Sequence, residues 1–196
     1  MIETRFLKER AELSVQSMRY ITEEESLIVL HRVVDVILRA SKAGKTIFAC
    51  GNGGSYSQAE HFIAELVVRF ESDRRPIKAL TLGCSSSIVS AICNDLDPDE
   101  IFSRELEGFG TSGDVLVAFT TSGKSPNIIK CLERASAIGV SCVVITSDRF
   151  NNEDMCDISV KVPYSSTAAV QEVHLAMTHL ICAELDRLAI SNVLID

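Results

Sequence analysis

Residues 45–55 read KTIFACGNGGS, and this stretch decides the fold. The three-to-four spacing of apolar residues that precedes it stops at Gly44. KTIFACG (45–51) is instead a short apolar run ending in glycine, and residues 55–70 resume a helix-like pattern. Four similar runs lie downstream: KALTLG (78–83), DVLVAFT (114–120), SCVVITS (141–147) and DISVKVP (157–163). Helix-like segments separate them at 55–70, 85–109 and 125–138. Strands alternating with helices require right-handed crossovers and a parallel sheet covered on both faces. The reading is therefore an α/β fold, a three-layer αβα sandwich with a five-stranded parallel sheet. Residues 167–190 read as a long last helix. Upstream, residues 2–43 read as helix, with apolar positions at Leu7, Leu13, Met18 and Ile21, then Leu27, Leu30, Val34, Ile37 and Leu38. Thr22 and Glu25 have the spacing of a capping box for the second helix, and Gly44 stops it. Residues 1–196 are read as one domain, with a helical extension (1–43) and an α/β core (44–196).

Composition narrows the function. Of 196 residues, 46% are hydrophobic, which excludes a disordered chain. The 19 Lys+Arg against 27 Asp+Glu give a net charge of −8, without the basic footprint that nucleic acid requires. A phosphate ligand is not excluded, because backbone N–H groups can cradle an anion in an acidic protein. The seven Cys are odd in number and form no CxxC, so they read as small hydrophobes in a reducing compartment. The first residues, MIETRFLKERAEL, carry charges of both signs and no apolar core of a signal peptide. No apolar run approaches the roughly 20 residues that cross a bilayer. A cytoplasmic protein without membrane or nucleic-acid partners is expected.

Parallel sheets bind ligands in loops at the carboxyl ends of their strands, and two such loops are rich in Gly and Ser. Cys50-Gly51-Asn52-Gly53-Gly54-Ser55 lets the backbone approach a ligand and leads into a helix N-terminus, or else is simply a tight turn. Thr120-Thr121-Ser122-Gly123-Lys124-Ser125 places four hydroxyls ahead of a helix start, a set suited to a phosphate monoester. Ser125 also reads as an N-cap with Pro126 at the first helical position, and both readings can hold at once.

His61 and Glu65 are four apart, on one face of a helix. Such a pair can bind a metal, divide acid and base roles, or be an ordinary surface pair. The last helix carries Gln171, Glu172, His174 and His179. Gln171 and His179 are eight apart, about 12 Å along a straight helix. For one ion they must converge from both sides, or a second subunit must supply one of them. Leu7, Leu27, Val34 and Leu38 need a covering surface, either the sheet or another subunit.

CGNGGS followed by AEHFIAEL, then CND, TTSGKS and QEVHLAMTHL, resembles the phosphoheptose isomerases of the SIS (sugar isomerase) fold over nearly the whole chain. The resemblance implies conversion of D-sedoheptulose 7-phosphate to D-glycero-D-manno-heptose 7-phosphate by a cytoplasmic homotetramer with active sites between subunits. It implies one zinc per subunit at His61, Glu65, Gln171 and His179. It also implies substrate binding by Asn52, Gly53, Gly54, Ser55, Asn94, Asp95, Thr120, Thr121, Ser122 and Ser125, with Glu65 and Gln171 touching substrate as well. Glu65 and His179 are then the catalytic pair. A ketose and an aldose interconvert through an enediol by moving one proton between carbons and another between oxygens. A carboxylate over the C1–C2 face suits the first, and an imidazole suits the second. The remaining alternatives are an isomerase of another sugar phosphate and a non-catalytic SIS protein that binds a sugar phosphate or a protein partner. Retention of His61, Glu65 and His179 together argues against the non-catalytic form. This chain carries Lys124 inside the hydroxyl loop, and Thr167-Ala168-Ala169-Val170 ahead of Gln171, where the family usually has a charged residue.

Overall fold

A computed structural model describes residues 4–190. Five strands form one sheet: β1 (Ile47–Gly51), β2 (Ala79–Thr81), β3 (Val115–Phe119), β4 (Ser141–Ser147) and β5 (Ile158–Val162). All neighbours are parallel, in the order β2-β1-β3-β4-β5. The chain steps outward from β1 to β2, then crosses back to place β3 on the other side of β1. That reversal opens a crevice at the carboxyl ends of β1 and β3, where Gly51 pairs with Phe119. Both Gly/Ser loops leave the sheet at this point.

The strands are apolar throughout because both faces are covered. Ile47, Ala49, Val115, Val117, Phe119, Val143 and Ile145 face α2 (Glu24–Lys42), α3 (Gly54–Val67) and α7 (Thr167–Ile190). The alternate residues Phe48, Cys50, Leu116, Ala118, Cys142 and Val144 face α5 (Ile101–Phe109) and α6 (Pro126–Ile138). Leu116 is fully buried, and truncating such a leucine to alanine typically costs about 2–5 kcal/mol.

Two local expectations fail, each for a visible reason. Thr22 does not start α2: its Oγ1 donates to Arg19 O at 2.9 Å, closing a 3-10 turn over Arg19–Thr22. Glu23 occupies the cap position with no side-chain cap bond, and Glu24 and Glu25 instead place negative charge in the first turn. The single helix expected over 85–109 is two, α4 (Ser86–Asp95) and α5. Pro98 lacks an N–H and disfavours helical backbone at Asp97, whose side chain caps the short turn that follows by accepting from Asp99 N at 3.0 Å. Of the three leucines and one valine expected to need cover, Val34 and Leu38 are buried in the chain's own core, whereas Leu7 and Leu27 are exposed. Leu7 lies on α1 (Arg5–Met18), none of whose residues is buried. The seven cysteines are all free; Cys50, Cys131, Cys142 and Cys182 are buried, Cys156 is half-buried, and Cys84 and Cys93 are exposed. Among the described residues, no helix is long and apolar enough to cross a membrane.

Candidate active site

The crevice between β1 and β3 holds about 340 Å³. One wall is Asn52, Gly54 and Ser55; another is Phe119, Thr120, Thr121, Ser122 and Ser125; Thr167 and Gln171 of α7 close it. None of these side chains is ionisable. α3 begins at Gly54 behind a Gly53 that gives no side-chain cap, and α6 begins behind Ser125, whose hydroxyl makes no cap bond either. Two helix N-termini therefore direct partial positive charge at one small volume, which suits an anion. Backbone detail explains the glycines. A Cβ on Gly54 would lie 2.8 Å from Gln171 Nε2. Gly123 has φ +65, and a Cβ there would meet Phe150 Cα at 2.8 Å. Thr120 Oγ1 accepts from Gly123 N at 3.1 Å and fixes the second loop from within. Asn52 and Asn127 exchange two 2.9 Å amide hydrogen bonds across the loops. Lys124 is exposed, with its backbone N–H donating to Ser122 Oγ. A larger cleft of about 440 Å³ lies between α5 and α6, but its Arg104, Glu107, Lys130 and Arg134 are joined in ion pairs.

Beside the crevice, α3 and α7 pack together. His61 Nε2 meets His179 Nε2 at 3.0 Å, and Glu65 Oε1 lies 3.5 Å from the same His61 nitrogen. The two imidazole rings stand edge to face, and Phe70 stacks on His179. In this contact one imidazole nitrogen donates and the other accepts. Gln171, two turns earlier on α7, turns the other way: its Nε2 donates to Ser55 Oγ at 3.3 Å, and its carbonyl oxygen accepts from Gln58 Nε2 at 2.5 Å. α7 thus lends Gln171 to the crevice and His179 to His61. The meeting of His61 and His179 is made within one chain.

Asn94 and Asp95 stand elsewhere. They close α4, bond each other at 2.6 Å and are exposed. Asp95 lines an apolar cleft with Ile88, Ile92, Leu96 and Phe109 rather than the crevice. His174 is fully buried, with Nε2 placed 2.9 Å from Thr146 O and Nδ1 unpaired. Burial lowers its pKa to about 4, against a weaker opposing pull from the Thr146 carbonyl. Residues unmarked by sequence reading also contribute: Phe119 and Thr167 as walls, Asn127 and Gln58 as bracing, and Phe70 behind His179. Only Asn127 gave a local signal, standing one residue after the Pro126 that starts α6.

His61 Nε2 lies 3.0 Å from His179 Nε2 and 3.5 Å from Glu65 Oε1. Ligand atoms on tetrahedral zinc are separated by roughly 3.3 Å, given bonds near 2.0–2.1 Å, and nitrogen with carboxylate oxygen is a donor set that zinc accepts. The residues fit zinc in donor type, and the two distances are near that spacing. As placed, the imidazoles bond each other, and among the described residues no three His, Cys, Asp or Glu groups converge around an ion.

Comparison with known proteins follows the same lines. The SIS-domain family profile matches residues 12–147. The phosphoheptose isomerase of Shewanella denitrificans is 39% identical over 162 residues, covering 81% of this chain and 83% of that one. The solved phosphoheptose isomerase of Francisella tularensis superposes with a TM-score of 0.89 at 26% identity, over 95% of this chain and all of that one. That of Neisseria gonorrhoeae gives 0.80 at 29% identity, over 93% and 97%.

Proposed function

The chain belongs to the phosphoheptose isomerases of the SIS-domain family, and on that premise we propose that it converts D-sedoheptulose 7-phosphate to D-glycero-D-manno-heptose 7-phosphate. The observation that carries this is the pairing of an anion-binding crevice with an imidazole–carboxylate cluster on the adjoining helices. The phosphate sits in the crevice on the N-termini of α3 and α6, with Ser55, Thr121, Ser122 and Ser125 donating hydroxyl hydrogen bonds. Held there, it orients the reacting end of the sugar and supplies binding energy remote from the chemistry.

Glu65 takes the proton from C1 of the ketose, giving an enediol, and returns it at C2. His179, backed by His61, moves the second proton from the C1 hydroxyl oxygen to the C2 oxygen, leaving the aldehyde at C1. The 3.0 Å imidazole contact supports this role, since it puts a His61 ring nitrogen within hydrogen-bond reach of His179. Gln171 closes the crevice by donating to Ser55.

As a separate reading of the same cluster, we also propose that zinc is held by His61, Glu65 and His179, with Gln171 leaving Ser55 to complete the set; Glu65 and His179 would then serve as ligands in place of the acid–base roles above. When bound, the ion would polarise the carbonyl and stabilise negative charge on its oxygen. A cytoplasmic homotetramer is proposed on separate grounds. Seven free thiols suit a reducing compartment. Phe6, Leu7 and Val15 of α1, all exposed, offer an apolar surface for a partner subunit.

Incubation of the pure protein with sedoheptulose 7-phosphate, followed by NMR, is expected to show the aldose accumulating. Absence of product with and without added zinc would overturn the isomerase reading.

A further inference from the structure

We propose that Arg74 and Asp186 are positioning residues that set the Glu65 carboxylate for proton transfer, an inference that rests on the isomerase reading above. Neither residue lines the crevice. Their side chains are nonetheless only 2% and 3% exposed. Removing both partners of an ion pair from water is costly unless their hydrogen-bonding capacity is used. Here most of it is used.

Asp186, near the end of α7, accepts from Glu71 N and Ser72 N at 2.8 Å each, and from Arg74 Nε at 2.7 Å. The rest of the guanidinium turns to the end of α3. Nη1 donates to Leu66 O at 2.7 Å and to Arg75 O at 3.2 Å, and Nη2 donates to Glu65 O at 2.5 Å. α3 stops at Val67, and Val68 after it has φ −89 and ψ −80, outside the left-handed conformation that commonly ends helices. The last turn of α3 is instead capped by a buried arginine. One of the two carbonyls it holds belongs to Glu65.

The placement relates two helices. α3 and α7 are fastened at three heights: Gln58 to the Gln171 carbonyl, His61 to His179, and the end of α3 to Asp186 through Arg74. The third rung fixes the turn that carries Glu65 against the helix that carries His179. Without it that turn loses the partner of its terminal carbonyls, and the carboxylate is free to drift from the position that reaches the sugar carbon. The phosphate crevice, built on the other ends of the elements, is untouched.

Two variants test this. Arg74→Lys keeps the charge beside Asp186 but lacks the planar fork that spans two carbonyls. Arg74→Met with Asp186→Leu removes both charges and keeps the volume apolar, which guards against an unpaired buried ion. Val140→Ala, at the opposite end of the sheet, serves as a stability control. Expected for the double variant is a kcat about tenfold lower or less, because a small misplacement of a catalytic group is enough for that loss. KM stays within about threefold, inorganic phosphate binds as in wild type, and Arg74→Lys falls between. The control loses thermal stability without losing kcat. An active wild type alongside variants of unchanged kcat overturns this proposal alone, as does a loss of phosphate binding in step with kcat. An inactive wild type overturns the isomerase reading and this proposal with it.

Discussion

The crevice at β1 and β3 and the His61–Glu65–His179 contact lie side by side but are assembled differently. The crevice is made of backbone and hydroxyls at the ends of neighbouring strands, and its walls hold no ionisable side chain. The contact is made of ionisable side chains carried by two helices whose meeting residues are 118 apart in sequence. The first is suited to holding an anion whose charge does not change. The second is suited to moving protons. Separate construction means that binding and turnover can be broken separately.

The largest separation is expected from Glu65→Gln. Turnover should fall by about 1,000-fold or more while inorganic phosphate binds with unchanged affinity, as calorimetry would show. Equal losses of both would mean that the regions are not distinct.

His174 provides a comparison of stability rather than activity. It stands on the same helix as His179 but is sealed from solvent, with its pKa lowered from 6.5 to about 4. In the unfolded chain it protonates as pH falls through 6.5, whereas in the folded chain it does not until about 4. The unfolded state therefore binds more protons across that window, and stability falls with falling pH. The loss from this one group is about 3 kcal/mol at pH 4. Denaturant melts of wild type and His174→Gln from pH 7 to pH 4 should show a shallower decline in the variant. Parallel slopes would remove His174 as the cause.

Ser125→Ala should raise KM about tenfold and leave kcat nearly unchanged. Because the Ser125 hydroxyl makes no cap bond, the thermal midpoint should not move, unlike the loss of about 1 kcal/mol seen when a true N-cap is removed. Smallest of all, Lys124→Gln should change KM by less than about threefold, since an exposed lysine is strongly screened. A larger effect in a steady-state assay would place Lys124 on the phosphate.

The same difference in construction governs what the sequence reveals. Each of the five strands and both loops is a local pattern, so their existence could be read from a few neighbouring residues. The order of the strands, which puts Gly51 beside Phe119, is not local. Nor is the meeting of His61 with His179: spacing along α7 argues against Gln171 and His179 acting together, and only the family resemblance joined them. The structure places the two residues as that spacing does. α7 presents Gln171 to Ser55 and His179 to His61, so one helix serves two regions without bending toward a single point. Asn94 and Asp95, placed in the site by resemblance, lie at the end of α4 and outside the crevice. Thr22 misled because a threonine hydroxyl can satisfy the preceding turn as readily as the following helix. Arg74 and Asp186 left no sequence signal, since charged residues in a loop and near a helix end ordinarily face water.

The central claim, that Glu65 carries the carbon proton through an enediol, is tested most directly by running the isomerisation of sedoheptulose 7-phosphate to equilibrium in D₂O. Deuterium should enter the carbon-bound positions at C1 of the ketose and C2 of the aldose, as read by NMR. Equilibration through many turnovers with those hydrogens fully retained would contradict the account.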